Sequence, residues 1–168
     1  MKNKKVGTHM IELRKITYEN FDQVVQLNVE EHQKNFVARN MYSLAEAYVS
    51  LTNQDNIPMP FAIYAHEELV GFLMLSYEEK DPDDEDDETV YLIWRFMIDK
   101  KYQRKGYGKE TMIKAIEYIK TFPKGPASAI VLSYEPTNIV VKKLYASLGF
   151  IETGEMFDDE VVAKLNLE

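Results

Sequence analysis

The sequence predicts an α+β fold in which a mixed central sheet of about six to seven strands is flanked by about four helices. Short runs rich in β-branched and aromatic residues are typical of strands, and other segments carry apolar residues at helical spacing. Their order is a strand, two helices, three strands, a helix, a strand, a helix and two strands, which suits a mixed sheet. The chain has 168 residues, 45% of them apolar, which is enough for one domain at residues 10–168.

The first three predicted elements are a strand and two helices. Alternation of apolar and polar residues predicts a strand at residues 11–16. Asn20 is predicted to cap the first helix, with Gln23 at the third position, and Ser43 with Glu46 has the capping-box spacing for the second. The residues expected on the apolar sides of these helices are Phe21, Val24, Val25, Val29, Leu44, Tyr48 and Leu51.

A hairpin and a buried strand follow. Residues 53–60 are predicted to form a loop, and residues 61–65 and 69–77 an antiparallel hairpin about a polar turn. Residues 90–99 form a continuous run of β-branched and aromatic residues, which predicts a strand buried on both faces. This strand is expected to be the centre of the sheet.

The last part of the chain supplies two helices and three strands. A helix at residues 110–120 is expected to bury Met112, Ile113, Ile116 and Ile119. Residues 129–134 predict a buried strand, and Thr137 or Asn138 begins a helix that Gly149 ends. Residues 151–157 and 160–165 predict a closing hairpin.

Charge is concentrated in one segment. Residues 78–88 hold nine acids and one lysine, a net of −8, while the remaining nineteen basic and nineteen acidic residues balance. This run is expected to be a long exposed turn. An acidic protein without a basic patch is a poor nucleic-acid binder, so we predict no nucleic-acid partner.

Several other classes of protein are disfavoured. The chain has no cysteine and three scattered histidines, which argues against a metal site. No apolar run approaches the roughly 20 residues that cross a bilayer, so we expect no membrane partner and a cytoplasmic protein. Residues 1–9 are polar, have no period and precede Met10, and are predicted to be a vector-derived leader.

A basic loop with two glycines joins the central strand to the next helix. Such a loop can hold a phosphate, because its amides and the helix dipole both favour an anion and glycine allows close approach. The residues assigned to this site are Gln103, Arg104, Lys105, Gly106, Tyr107, Gly108 and Lys109.

Two motifs in this half of the chain occur together in one known family. Gln103, Gly106 and Gly108 fit the pattern Gln/Arg-x-x-Gly-x-Gly/Ala, and Asn138 is followed by Tyr145 and then by Gly149-Phe150. Both motifs resemble those of the GNAT superfamily of N-acetyltransferases. The resemblance implies the GNAT fold and acetyl-CoA as co-substrate, with no metal. It extends over most of the chain from Met10 onward.

By this resemblance, each site residue receives a role in acetyl transfer. Backbone groups of Met97 and Ile98 would bind the pantetheine arm, and one amide there could polarise the thioester carbonyl. The loop would bind the pyrophosphate, and Asn138 would hydrogen-bond the pantetheine chain. Tyr145 matches the family's general acid, which protonates the departing thiolate.

The general base is less clear from the sequence. Many polyamine acetyltransferases of this family carry a carboxylate in the central strand, where this chain has Ile93, Trp94 and Arg95. Glu88, at the start of the strand, could act as the base through a water molecule. Arg95 should be paired with an acid in a buried ion pair, or should contact the substrate.

Charge also suggests the acceptor. The sequence resembles that of bacterial spermidine/spermine acetyltransferases in two places: from Glu78 through the central strand, and at the Glu30-Glu31 pair. Carboxylates near the acceptor would attract a polycation, so the expected partner is a small-molecule amine of the polyamine class. The acidic run could equally be a solvated loop.

Two alternative functions stay open: acetylation of another amine, such as an amino acid, an aminoglycoside or a protein N-terminus, or a non-catalytic acyl-CoA sensor. Family members are often dimers, which implies a homodimer here.

Overall fold

The computed structural model describes residues 10–54 and 56–167, so the predicted leader lies outside the described residues. Seven strands and four helices form in the described part, with a 3-10 helical turn between the first two helices. The strands are β1 Ile11–Lys15, β2 Ile57–Ala65, β3 Glu68–Glu78, β4 Val90–Ile98, β5 Ala129–Tyr134, β6 Ile151–Phe157 and β7 Glu160–Asn166. The helices are α1 Phe21–Gln26, α2 Asn40–Asn53, α3 Tyr107–Ile119 and α4 Ile139–Ser147, and the 3-10 turn is Glu31–Gln33.

All seven strands belong to one mixed sheet, as the sequence predicts. Their order is β1-β2-β3-β4-β5-β7-β6, and every neighbouring pair is antiparallel except β4 and β5. The β2/β3 and β6/β7 hairpins are confirmed, and so is the central position of β4. None of the helices within residues 10–54 and 56–167 is long and apolar enough to cross a bilayer.

The sheet is covered unequally on its two faces. The face that we call the α3/α4 face carries the larger core, which includes Tyr91, Ile130 and Leu132 from the strands and Met112 and Tyr145 from the helices. The α1/α2 face carries a smaller core with Val24 and Ala47, and its strand residues come only from β2, β3 and β4. The α1/α2 face of β5 and β7 therefore has no helical cover within the described chain.

The parallel pair β4 and β5 separates after a short contact. Its register extends only over Val90, Tyr91 and Leu92, which pair with Ala129, Ile130 and Val131. On its other side β4 continues to pair with β3 up to Ile98, with a bulge at Trp94. A bulge bends and twists its strand. The carboxyl-terminal half of β4 consequently leaves β5, and a gap opens in the sheet.

Of the two predicted helix caps in the first half, one has the predicted position and the other is wrong. Asn20 is the N-cap residue of α1, as predicted, but its side chain makes no capping hydrogen bond: it accepts from Thr17 N and donates to the Lys15 carbonyl, so it holds the turn after β1. α2 begins at Asn40, and Ser43 lies inside it with its hydroxyl donating to the Arg39 carbonyl. An Asn or Ser side chain can satisfy backbone groups of a turn as well as those of a helix end, which the spacing alone does not distinguish.

The predicted apolar face of α2 is also wrong. Its buried residues are Asn40, Ser43, Ala47 and Ser50, whereas Tyr48 and Leu51 are 71% and 54% exposed. Small residues let the helix lie close to the sheet, and Asn40 there donates to the Val24 carbonyl at 2.9 Å. Two smaller differences follow from packing: Ile113 is exposed, and β2 begins at Ile57 inside the predicted loop.

Candidate active site

A cleft of about 1810 Å³ occupies the gap between β4 and β5. Its walls come from both strands, from the segment around the 3-10 turn, from the first residues of the loop before α3, from α4 and from β7. The backbone edge of residues 93–98 that would pair with β5 has no strand partner. Met97 and Ile98 line this stretch, so the predicted backbone site for a long ligand is open to the cleft.

The loop after β4 is held by two side chains that point into the protein. The buried Asp99 carboxylate accepts from Asn28 N and Lys101 N, each at 2.9 Å. Gln103 donates to the Ile98 carbonyl at 2.9 Å and exchanges two amide hydrogen bonds with Gln33, at 2.8 and 3.1 Å. Because the Gln103 side chain is bound in this way, it fixes the shape of the loop and leaves its backbone to meet a ligand.

The conformation of the loop suits an anion. Arg104 and Gly106 have φ of 62° and 88°, in the left-handed region, and α3 begins at the next residue. A Cβ built on Gly106 would meet nothing within 4 Å, and one on Gly108 would lie 3.8 Å from the Phe96 ring. The dipole of α3 favours an anion at the amino end of the helix. The open space beside the loop suits an anionic group such as a phosphate.

The predicted loop residues differ in how they meet the cleft. Gln103, Arg104 and Gly108 line it, together with Tyr102. Lys105 lies with its Nζ 5.3 Å from the centre of the Tyr102 ring, outside the wall. Three other predicted loop residues do not line the cleft: Gly106, Tyr107 and Lys109.

α4 brings the second motif to the same cleft. Asn138 caps this helix, because its Oδ1 accepts from Val141 N at 3.5 Å, and it lines the cleft. Tyr145 lines the cleft too and is only 6% exposed, with its ring centre 5.7 Å from that of Tyr134 and 5.9 Å from that of Phe150. Burial, and then the charge of Glu160, raise the pKa of Tyr145, so its hydroxyl keeps its proton at neutral pH.

Arg95 has the acidic partner that the sequence predicts. Its Nη2 lies 2.7 Å from Glu46 Oε2 on α2, and its Nη1 donates to the Trp94 carbonyl. Both members of this pair line the cleft. The sequence predicts only a helix-cap role for Glu46, because the contact between α2 and β4 depends on the tertiary structure.

Glu88 is held by two neighbours at the amino end of β4. Its carboxylate pairs with Lys164 on β7 and accepts from the Ser128 hydroxyl. Lys164, and then Ser128, lower the pKa of Glu88. A lower pKa makes a carboxylate a weaker base. Glu88 lines the cleft, but its ion pair weakens the predicted role in proton transfer.

Glu30 and Glu31 do not line the cleft. Glu30 caps the 3-10 turn in a reciprocal arrangement with Gln33, and Glu31 pairs with Lys34 at 2.6 Å. The Lys34 ammonium lowers the pKa of Glu31. Their contact with an acceptor stays a prediction from the sequence.

The acidic segment is an exposed loop, as the sequence predicts. The carboxylates of Asp81, Asp84 and Asp87 accept hydrogen bonds from backbone amides of the same loop. Only the ends of the segment reach the cleft, through Glu78, Asp87 and Glu88. Among the described residues, no group of three or more His, Asp or Glu side chains is arranged to hold a metal ion.

The two ends of the cleft differ in charge. Glu78 pairs in register with Val90, so it lies with Asp87 and Glu88 at the amino end of β4. Arg104, in the loop after β4, and Lys34 line the opposite end. The nine residues of β4 separate these ends by about 26 Å, at about 3.3 Å for each residue.

A gap between parallel strands that ends at an anion-binding loop is the architecture of a protein that binds an acyl-CoA. The family model of the Acetyltransferase (GNAT) family matches residues 21–150, and the chain belongs to that family. Its members are acetyl-CoA-dependent enzymes, so acetyl-CoA is the co-substrate.

Three proteins illustrate what the chain resembles. It is 29% identical over 153 residues to a protein of Bacillus subtilis (strain 168) named spermine/spermidine N(1)-acetyltransferase, which covers 90% of this chain and 95% of that protein. A structure of Vibrio cholerae spermidine N-acetyltransferase with CoA and spermine has a TM-score of 0.64 and 17% identity, with 94% of each chain covered. A structure of an aminoglycoside acetyltransferase with coenzyme A has a TM-score of 0.69 and 15% identity, with 94% of this chain and 95% of that chain covered. At these identities the two structures establish a common fold.

Proposed function

We propose that this enzyme transfers the acetyl group of acetyl-CoA to a primary amine of a polyamine, such as spermidine or spermine, with Tyr145 as the general acid. The observation that carries the proposal is the opposite charge at the two ends of the cleft. Arg104 suits the anionic donor, while Glu78 and Asp87 suit a polycation; Lys34 and Glu88 at these ends are already paired with Glu31 and Lys164.

The layout of the cleft suits an anionic donor at one end and a cationic acceptor at the other. The donor enters along the carboxyl-terminal half of β4, beginning at the loop and ending near the point where β4 leaves β5. The acceptor then approaches across the uncovered α1/α2 face of β5 and β7. An extended polyamine bound there would have one amine at the gap and its distal amines toward the acidic amino end of β4.

The relatives support the same acceptor class. The Bacillus subtilis protein is named for spermine and spermidine, and its likeness covers nearly the whole of both chains. The Vibrio cholerae structure contains spermine beside CoA. The aminoglycoside acetyltransferase has the same fold, so the amine is selected by side chains rather than by the fold.

Residues of this chain have separate tasks in the proposed reaction. The loop from Gln103 to Lys109 holds the pyrophosphate, and the open backbone of Met97 and Ile98 holds the pantetheine arm. Acetyl-CoA, when bound, supplies a thioester carbonyl that an amide of this stretch can polarise. Asn138 orients the arm, and Tyr145 donates its proton to the sulfur as the carbon–sulfur bond breaks.

Three expectations from the sequence remain predictions. Glu88 as a base acting through water is one, although its ion pair with Lys164 disfavours it. The contact of Glu30 and Glu31 with the acceptor is the second. The third is a homodimer, which light scattering on the purified protein would measure.

The test is thiol release from acetyl-CoA across a panel of amines. The panel contains spermidine, spermine, a diamine, lysine, an aminoglycoside and a short peptide, each at low and high salt. We expect the highest kcat/KM with spermidine or spermine, and a decrease at high salt because screening weakens the acidic end. Turnover confined to another amine would refute the polyamine. Acetyl-CoA binding without turnover on any amine would favour a sensor.

A further inference from the structure

We propose that Glu160, the first residue of β7, is the general base that removes the proton from the acceptor ammonium. The inference rests on the proposed acetyl transfer and adds the proton acceptor that it requires. A primary amine has a pKa near 10, as lysine does, so almost all of it is protonated at neutral pH and cannot attack a carbonyl.

The position of Glu160 follows from the register of the last strands. Ser133 pairs with Val162, and its hydroxyl donates to Glu160 Oε2. Leu132 and Tyr134 belong to the core on the α3/α4 face, so Ser133, between them, faces the other side of the sheet. Glu160 therefore lies on the uncovered α1/α2 face, from which the acceptor approaches.

Glu160 also lies beyond the last contact between the parallel strands. Val131 is the last residue of β5 that pairs with β4, and Ser133 comes two residues later, where the gap is open. Both Ser133 and Glu160 line the cleft. The carboxylate is thus in the wall of the opening where donor and acceptor meet.

Glu160 is one of several carboxylates in the cleft wall that have no ion-pair partner among the described residues. Glu46 pairs with Arg95 and Glu88 pairs with Lys164. Within residues 10–54 and 56–167, no Lys, Arg or His nitrogen lies within 4.0 Å of Glu160, which is half-buried. A carboxylate whose charge is not neutralised can bind an ammonium and accept its proton, whereas a paired one has already lost much of that capacity.

Tyrosines and acids adjoin Glu160, and the lysine on the same face of its own strand, Lys164, is paired with Glu88. Tyr145 on α4 and Tyr134 on β5 both line the same wall, and Asp158 and Asp159 precede Glu160 in its own turn. Lys142 of α4 is engaged with Glu152 of β6 at 2.9 Å. The charge of Glu160 contributes to the raised pKa of Tyr145, so the proposed acid and base are close enough to interact electrostatically.

The proton balance of the step is complete. The Glu160 carboxylate takes one proton from the ammonium and later releases it to water. The freed lone pair of nitrogen forms the C–N bond to the acetyl carbon, and the C–S bond breaks with its electron pair on sulfur. Sulfur takes the proton of Tyr145, and the second proton lost by nitrogen restores the phenol. The net products are the N-acetyl amine, free CoA and one proton.

The experiment compares Glu160→Gln with Glu155→Gln, using the best amine of the wild-type panel. Both changes remove one negative charge from the cleft wall, but Glu155 lies exposed on β6. We expect Glu160→Gln to lower kcat/KM for the amine about 10²-fold at pH 7, the usual scale for a general base. The loss should shrink toward pH 9.5, where more of the amine is already neutral. Glu155→Gln should give a small change that does not depend on pH.

Two further measurements distinguish loss of the general base from loss of the folded site. Calorimetry should give wild-type affinity of Glu160→Gln for acetyl-CoA, which demonstrates a folded donor site. Ser133→Ala, which keeps the carboxylate, should lose much less activity than Glu160→Gln. A Glu160→Gln variant with wild-type kcat/KM, or with the same loss at every pH, would overturn the base. Wild-type activity on a different amine alone would refute the polyamine, while Glu160 is still tested with that amine. Wild-type inactivity on every amine would overturn both proposals.

Discussion

The substitution Gly106→Val tests the phosphate loop most directly. Gly106 has φ of 88°, a conformation that a β-branched residue rarely adopts. A Cβ there would meet nothing within 4 Å, so the expected destabilisation comes from backbone strain and not from a clash. Strain of this kind costs about 2 kcal/mol, which in a chain of this size lowers Tm by about 4–8 °C.

The expected effect on binding is separate from this strain. A valine side chain at Gly106 would occupy the open space beside the loop, where we expect it to keep a phosphate away from the loop amides. Loss of one hydrogen bond to a charged group costs about 1.5–3 kcal/mol, or about 12- to 150-fold in Kd. Isothermal titration with acetyl-CoA measures this loss.

The chain offers a matched control in Gly154. It has φ of 86°, a Cβ there would also meet nothing within 4 Å, and it lies in the bulge of β6. Gly154→Val should therefore lose similar stability and keep the wild-type affinity for acetyl-CoA. Equal affinities for the two variants would refute the assignment of the loop.

Two other variants test the remaining parts of the site. Tyr145→Phe should lower kcat by about 10²-fold or more and leave the affinity for acetyl-CoA unchanged, because only the proton is removed; an unchanged kcat would remove Tyr145 from catalysis. Glu88 has a folded pKa below its ordinary value of 4.5, so its stabilisation is present above that pH and is lost as the pH falls through the folded pKa. Glu88→Gln should therefore have a lower Tm than the wild type at pH 7 and approach it as the pH falls through the folded pKa of Glu88, below 4.5, in a thermal-unfolding series. A Tm difference that does not change with pH would contradict this account.

Local patterns predicted those parts of the fold that depend on local chemistry. β4, α3 and both hairpins follow from apolar periodicity and from turn residues, which act over a few positions. Asn20 has the predicted cap position without a capping hydrogen bond, and the predicted cap at Ser43 is wrong, because short polar side chains can bond to several backbone partners. The face of α2 failed because its distance from the sheet, which periodicity does not contain, selected small residues.

Some residues of the candidate site could likewise be predicted from local patterns, and others could not. The two motifs predicted the loop around Gly106 and a place for Asn138 and Tyr145 at the same site, and both of these residues line the cleft. Gln33, Glu46 and Lys164 carried no signal, since their partners Gln103, Arg95 and Glu88 are distant in the chain. No pattern in the sequence indicates a role for Glu160 either, because its role depends on which other carboxylates have ion-pair partners.

The class of fold, the two-glycine loop before α3 and the acetyl-CoA family could all be predicted from sequence, because each depends on residues that are close together in the chain. The tertiary structure alone decided where β4 leaves β5, which face of the sheet stays uncovered, and which carboxylates have ion-pair partners. These features depend on contacts between residues far apart in the sequence. The proposed proton acceptor is one of them, since a carboxylate can act as a base only where the fold leaves its charge free.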